Sequence, residues 1–185
     1  MNAILNIPHS STCIPDCYKE QFKLSEEELE NETKLMADLL TDEIFPSSYS
    51  DRIVCPVSRL ICDVERFEDD SQELMSKRGM GVCYTKTHEG KPLKIVSPEM
   101  KEEIINEFYR PYHEELEKMV SRDLKYSKKA LIIDCHSFSP EPLECDLDQK
   151  ENRPDICLGV DDFHTPKWMV EFAGSSEFLL VNTSC

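Results

Sequence analysis

Residues 3–11 read AILNIPHSS. The run from Ala3 to Ile7 is apolar apart from Asn6, and Pro8 cannot donate to a strand ladder. It therefore reads as a short buried strand ending in a turn that carries His9. Residues 130–138, ALIIDCHSF, repeat that arrangement far down the chain, with His136 at the carboxyl end of a second apolar run. Between these strands lie helical patterns. That alternation predicts an α/β fold: a single domain over 1–185 with a mostly parallel or mixed central sheet flanked by helices. In open sheets of this kind ligands gather beyond the carboxyl ends of the strands, so His9 and His136 are expected to converge on one crevice as metal ligands. The alternative is that each histidine only caps its own strand.

The intervening pattern is specific. In LSEEELENETKLMADLLTDEIFP, Ser25 and Glu28 form a capping box, and Leu29, Met36, Leu39, Leu40 and Ile44 mark the buried stripe of a helix stopped before Pro46. Asp38 and Asp42 then fall one turn apart on another face, either lining a site or simply solvated. RIVCPVSRLICDVERF reads as one or two strands around Pro56. Ser97 and Pro98 open a further helix, striped by Met100, Ile104, Phe108, Tyr112, Leu116 and Met119 and kinked at Pro111. ICLGV and FLLVN add two strands, with a helix over 165–172 between them. The acid- and proline-rich stretch 139–155 is a long loop, of the length that forms a lid or a binding loop or stays disordered.

Composition narrows the function. A formal charge of -16 disfavours nucleic acid, whose phosphates demand clustered Lys and Arg. No segment reaches membrane-spanning length and the start lacks a signal-peptide pattern, so the expected location is cytoplasmic. Nine cysteines without a CxxC pair read as reduced thiols. Small-molecule chemistry or a basic partner remains; for a small anionic substrate, specific arginines must overcome the long-range field at close range, and the expected assembly is a monomer or homodimer.

Two constellations could carry chemistry. The first joins His9, His136 and Asp134, which lies two positions before His136 and could orient it. The second is Arg59, Asp63 and Arg66, where guanidinium groups could clamp a carboxylate. Cys135 faces away from His136 on an extended strand and reads as a small buried residue. His113 and His88 stand within reach of a substrate or serve the surface.

Taken in order, IPHSS, SRLICDVERF, YRPYHEEL, DCHSF, RPDICLG and FLLVN resemble the N-formylglutamate amidohydrolase family, which is related to zinc exopeptidases and to aspartoacylase. The resemblance implies a zinc-exopeptidase-like (phosphorylase/hydrolase-like) fold and a Zn2+-dependent hydrolase of N-formylglutamate, or of another N-acyl amino acid, in histidine breakdown. It implies metal ligation by His9 and His136 with a carboxylate, Asp38 before Asp42, because Thr12 stands where zinc peptidases place a glutamate. Arg66 and Glu65 would be catalytic, and Arg59, Arg66, Ser10, Ser137 and His113 would bind substrate. Family members usually carry asparagine at the position of Glu65, and continue beyond VNTSC into a strand that supplies a glutamate, the general base in related zinc hydrolases. A weakly active or non-catalytic binding protein of the same fold, and an acidic interaction module, are the alternative readings.

Overall fold

The computed structural model describes residues 3–45, 51–161, 163–174 and 180–182 and forms two compact units, Met1–Phe138 and Ser139–Cys185. In the first, strand β1 (Ile4–Ile7) lies between β2 (Asp51–Val54) and β3 (Ile132–Asp134), all parallel, with Ile4 opposite Asp51 and Ile132. All four β1 residues are buried, which is why this central strand reads as a continuous apolar run. Asn6 is its polar exception. Its Nδ2 donates to Asp134 Oδ1 at 2.8 Å and its Oδ1 accepts the Tyr112 hydroxyl, so one side chain ties the middle strand to an outer strand and to a helix.

The fold class is the expected one, a mixed α/β architecture with a small parallel sheet and flanking helices. Three local expectations change. First, β3 is not buried: Ile132 and Ile133 are each 41% exposed, because among the described residues β3 pairs with β1 alone. Second, the segment after Cys55 is a series of turns rather than a strand, and Leu60, Ile61, Cys62 and Val64 are buried within it.

Third, the long helix over 25–45 is broken. Helix α1 (Asp16–Lys19) is followed by α2 (Glu26–Met36), opened by the expected capping box, and by α3 (Thr41–Ile44). Between them Ala37 is extended and Leu40 takes a φ of 66°, left-handed geometry that a branched side chain adopts at a cost. The backbone N–H of Asp38 is thereby freed to donate to the carbonyl of His9 at 2.9 Å. Leu39, Leu40 and Ile44 are exposed in consequence, and only Leu29 and Met36 of the stripe are buried.

Helix α4 (Pro98–Ile104) runs through a π-helical turn, Ile105–Tyr109, into α5 (Arg110–Ser127). The wide turn immediately precedes Pro111, whose ring has no N–H and would strike the carbonyl four residues back in an unbroken α-helix. The second unit pairs β4 (Cys157–Gly159) in parallel with β5 (Leu180–Asn182), with α6 (Lys167–Gly174) between them in sequence. Positions 178 and 179 of the FLLVN motif lie outside the described residues. Residues 139–155 contain no helix or strand, and Arg153 gathers them by donating to Asp146 Oδ2 at 2.6 Å and to the carbonyls of Ser139 and Asp148.

Cys55, Cys62, Cys83, Cys135 and Cys145 are buried and Cys13 and Cys17 exposed, with no disulfide among the described cysteines. Lys94 is buried near Cys62 and Cys83, its Nζ donating to the Leu60 carbonyl at 2.6 Å. Burial pulls its pKa down to about 8.

Two measurements check this packing. Ile7→Ala should cost about 2–5 kcal/mol in urea unfolding, because Ile7 is fully buried and β1 cannot close over the void. Lys94 is depressed in the folded chain, so the unfolded chain holds more protons between the two pKa values and folding gains as pH rises. Relative to Lys94→Met, the natural chain should gain stability from pH about 8 to about 10.5.

Candidate metal centre and active site

Four parts of the first unit deliver titratable groups to the carboxyl end of β1. His9 follows β1 directly, Asp38 arrives through the break between α2 and α3, and the turns after β2 bring Arg59, Asp63, Glu65 and Arg66. His136 follows β3, so the convergence expected from the two strand ends is observed: the two imidazole centroids are 5.3 Å apart.

Asp63 is the hub. Its side chain is completely buried. Oδ1 accepts His9 Nε2–H at 2.9 Å and the backbone N–H of Glu65 at 3.1 Å. Oδ2 accepts Arg59 Nε and Nη2 at 3.2 and 2.8 Å and the Tyr84 hydroxyl at 2.9 Å. Burial alone would raise this carboxyl's pKa, but Arg59 and then His9 outweigh it and hold the group well below the usual carboxylate range.

Because the carboxylate only accepts, it fixes the proton of His9 on Nε2. His9 Nδ1 is the ring nitrogen that faces the other way, toward Asp38 and Glu65. That atom is buried in a side chain 2% exposed, makes no hydrogen bond, and stands 3.7 Å from both Asp38 Oδ2 and Glu65 Oε2. A buried ring nitrogen without a partner, flanked by two carboxylates, marks a place where positive charge, a proton or a cation, is stabilised.

His136 completes the group. Its Nδ1 donates to Asp38 Oδ2 at 2.8 Å and its Nε2 lies 3.2 Å from Glu65 Oε1. Burial lowers its pKa, but Asp38 and Glu65 overcome that and raise it to about 10, so in the metal-free chain a proton occupies the place between imidazole and carboxylate. Glu65 and Asp38 are both pulled down, burial opposing and His136 prevailing. His9, Glu65 and His136 each present a ligand atom, all within 4.8 Å of one another. The donor set fits a divalent cation: two imidazoles, each with its second nitrogen on a buried carboxylate, and one further carboxylate.

A scan against known families matches residues 1–175 to the model described as N-formylglutamate amidohydrolase. The chain belongs to the N-formylglutamate amidohydrolase family. Two solved structures share its fold. One is the N-formylglutamate amidohydrolase of Ralstonia eutropha, at TM-score 0.63 and 19% identity over 75% of this chain and 55% of that one. The other is a gene product of Agrobacterium tumefaciens, at TM-score 0.64 and 16% identity over 97% of this chain and 68% of that one. The chain thus spans little more than half the length of the Ralstonia enzyme. No curated protein matches it.

Set beside the family's expected residues, the placement is uneven. His9, His136, Asp38 and Glu65 meet, and Arg59 and Arg66 flank them. Arg59 directs two N–H groups onto Asp63, whereas Arg66 reaches Asp63 only through a 3.7 Å ion pair at Nε and makes no side-chain hydrogen bond among the described residues. His113 bonds the Val64 carbonyl through Nε2 at 2.8 Å and packs on Tyr109, whose hydroxyl donates to the Arg66 carbonyl, so both brace the turn that carries Glu65 and Arg66. Ser10 is half-buried beside His9 and Ser137 exposed beside His136. Asp134, expected to orient His136, bonds Asn6 instead, and Asp42 lies apart, its carbonyl accepting Arg52 Nη1 at 2.7 Å. His88 pairs with the buried Glu32 at 2.7 Å, a separate clamp on α2. Tyr84 had no sequence signal, since GVCYT carries no motif; its role appears only once Asp63 is seen to be buried.

The hub predicts a graded response in denaturant. Asp63→Asn strands Arg59 against a neutral partner and should cost about 3–5 kcal/mol. Tyr84→Phe removes one neutral donor and should cost about 0.5–1.5 kcal/mol.

Proposed function

We propose that the chain is a metal-dependent amidohydrolase that cleaves the N-formyl or N-acyl amide of an amino acid, with the reaction N-formyl-L-glutamate to formate and glutamate as the family's type case. The observation that carries this reading is the unpaired His9 Nδ1, buried and aimed between two carboxylates. Zn2+ is the expected ion, because imidazole and carboxylate donors suit it. Such an ion supplies Lewis acidity to an amide carbonyl and acidifies water near neutral pH.

The chain's own residues prepare the rest. Asp63 fixes the tautomer of His9 so that Nδ1 faces inward, and Asp38 does the same for His136 by taking Nδ1–H and leaving Nε2 for the ion. Glu65 is the third ligand in this arrangement. A second arrangement is favoured by the short contacts of Asp38 Oδ2, 2.8 Å from His136 Nδ1 and 3.7 Å from His9 Nδ1. There Asp38 is the ligand, as the family resemblance implies, and the partly exposed Glu65 takes the proton of the attacking water on Oε2. Arg66 offers its open guanidinium to an anionic oxygen of the substrate in either case. The reduced cysteines are in keeping with a cytoplasmic setting.

Elemental analysis coupled to hydrolysis of a panel of N-formyl and N-acyl amino acids tests the reading. The expected result is about one zinc per chain with metal-dependent turnover, and loss of the ion in His136→Ala. One bound zinc with no hydrolysis of any panel member would reject the enzyme and keep the metal centre. Glu65→Gln and Asp38→Asn separate the two arrangements. If Glu65 is the ligand, Asp38→Asn should weaken zinc binding by about 10–100-fold and Glu65→Gln should weaken it further. If Asp38 is the ligand, Glu65→Gln should retain zinc and lose turnover by about 100-fold or more.

A further inference from the structure

We infer that this site selects N-acyl amino acids carrying a single carboxylate, with a neutral or basic side chain, over the dianionic N-formylglutamate. The inference rests on the amidohydrolase reading and sharpens its substrate class. Three carboxylates, Asp38, Asp63 and Glu65, stand in the site against two guanidinium groups, Arg59 and Arg66. A divalent cation among them leaves one net positive charge, which one substrate carboxylate neutralises. A second carboxylate has no such counterpart.

The hydrogen-bond donors give the same count. Arg59 is committed to Asp63 through both Nε and Nη2, and its side chain is 14% exposed. Arg66, at 24%, has a buried Nε without a hydrogen-bond partner and stands 3.7 Å from Asp63 Oδ2, so its guanidinium is not committed as that of Arg59 is. A bidentate fork on the α-carboxylate, common to every N-acyl amino acid, uses that one guanidinium fully. Glu65, the residue preceding Arg66, adds a negative charge to the site, 3.7 Å from His9 Nδ1 and 3.2 Å from His136 Nε2. A second substrate carboxylate adds a negative charge to a site whose cations among the described residues of the first unit, Arg59 and Arg66, stand against three carboxylates, and the net charge of -16 opposes a dianion at longer range as well.

The test compares N-formyl-L-glutamine with N-formyl-L-glutamate, which match in shape and differ by one charge, on the zinc-loaded chain. Binding is read by titration calorimetry and cleavage by formate release. The glutamine ligand should bind at least about tenfold more tightly, since one unpaired charge in such a site readily reaches that factor, and N-formyl-L-lysine should bind at least as well as N-formyl-L-glutamate. Arg66→Ala, checked for retained zinc, should weaken glutamine and glutamate ligands by the same factor, because both lose the α-carboxylate contact. Equal or tighter binding of N-formyl-L-glutamate, no binding of either, or an Arg66→Ala loss confined to the glutamate ligand would each overturn the inference. Tight binding of the glutamine ligand without cleavage would sink the hydrolase reading alone, and efficient cleavage with a preference for N-formylglutamate would sink this inference alone.

Discussion

The carboxylate of Asp63 is the constraint on which the rest of the site depends. It is buried without solvent, so it is tolerable only if every lone pair is used, and His9, Arg59, Tyr84 and the Glu65 backbone use them. Each bond has a consequence beyond stability. The one to His9 decides which imidazole nitrogen faces Asp38 and Glu65, the one to the Glu65 N–H sets the turn that aims the Glu65 side chain, and those to Arg59 leave Arg66 as the open guanidinium. A buried ion network of this kind adds little net stability, but it permits one arrangement of the surrounding chain and penalises the others.

Placement of these groups is the task of the sheet. Parallel strands end at a common rim, so β1 and β3 deliver His9 and His136 to the same place although they are remote in sequence. The Tyr112–Asn6–Asp134 relay holds α5 and β3 to the central strand just below that rim. Asp38 needs a different device. A continuous helix would have kept it on a helical face, whereas the extended Ala37 and left-handed Leu40 turn it onto the carbonyl of His9 and toward His136.

Much of this was legible in the sequence, for identifiable reasons. Apolar runs bounded by proline or histidine located β1 and β3, and the capping box located α2, because these signals are local. The convergence of His9 and His136 followed from the strand–helix alternation. The break at 37–40 was not legible, since Leu39, Leu40 and Ile44 continue the helical period and only the contact with His9 overrides it. The burial of β3 was misjudged because apolar composition does not reveal how many neighbours a strand has. The turns over 55–67 imitate a strand in composition, and their burial around Asp63 and Tyr84 is a long-range property that no spacing rule encodes.

The distribution of sulfur has a practical corollary. Burial raises the pKa of the thiols of Cys55, Cys83 and Cys135 to about 11 each and that of Cys62 higher still, so little reactive thiolate exists in the interior near neutral pH. Cys13 and Cys17 are open to water on either side of the short turn that precedes α1. Among the buried and exposed cysteines described, oxidation in air therefore favours that corner, as surface adducts or links between molecules, while the thiols packed beneath the rim of the sheet are spared until the chain unfolds.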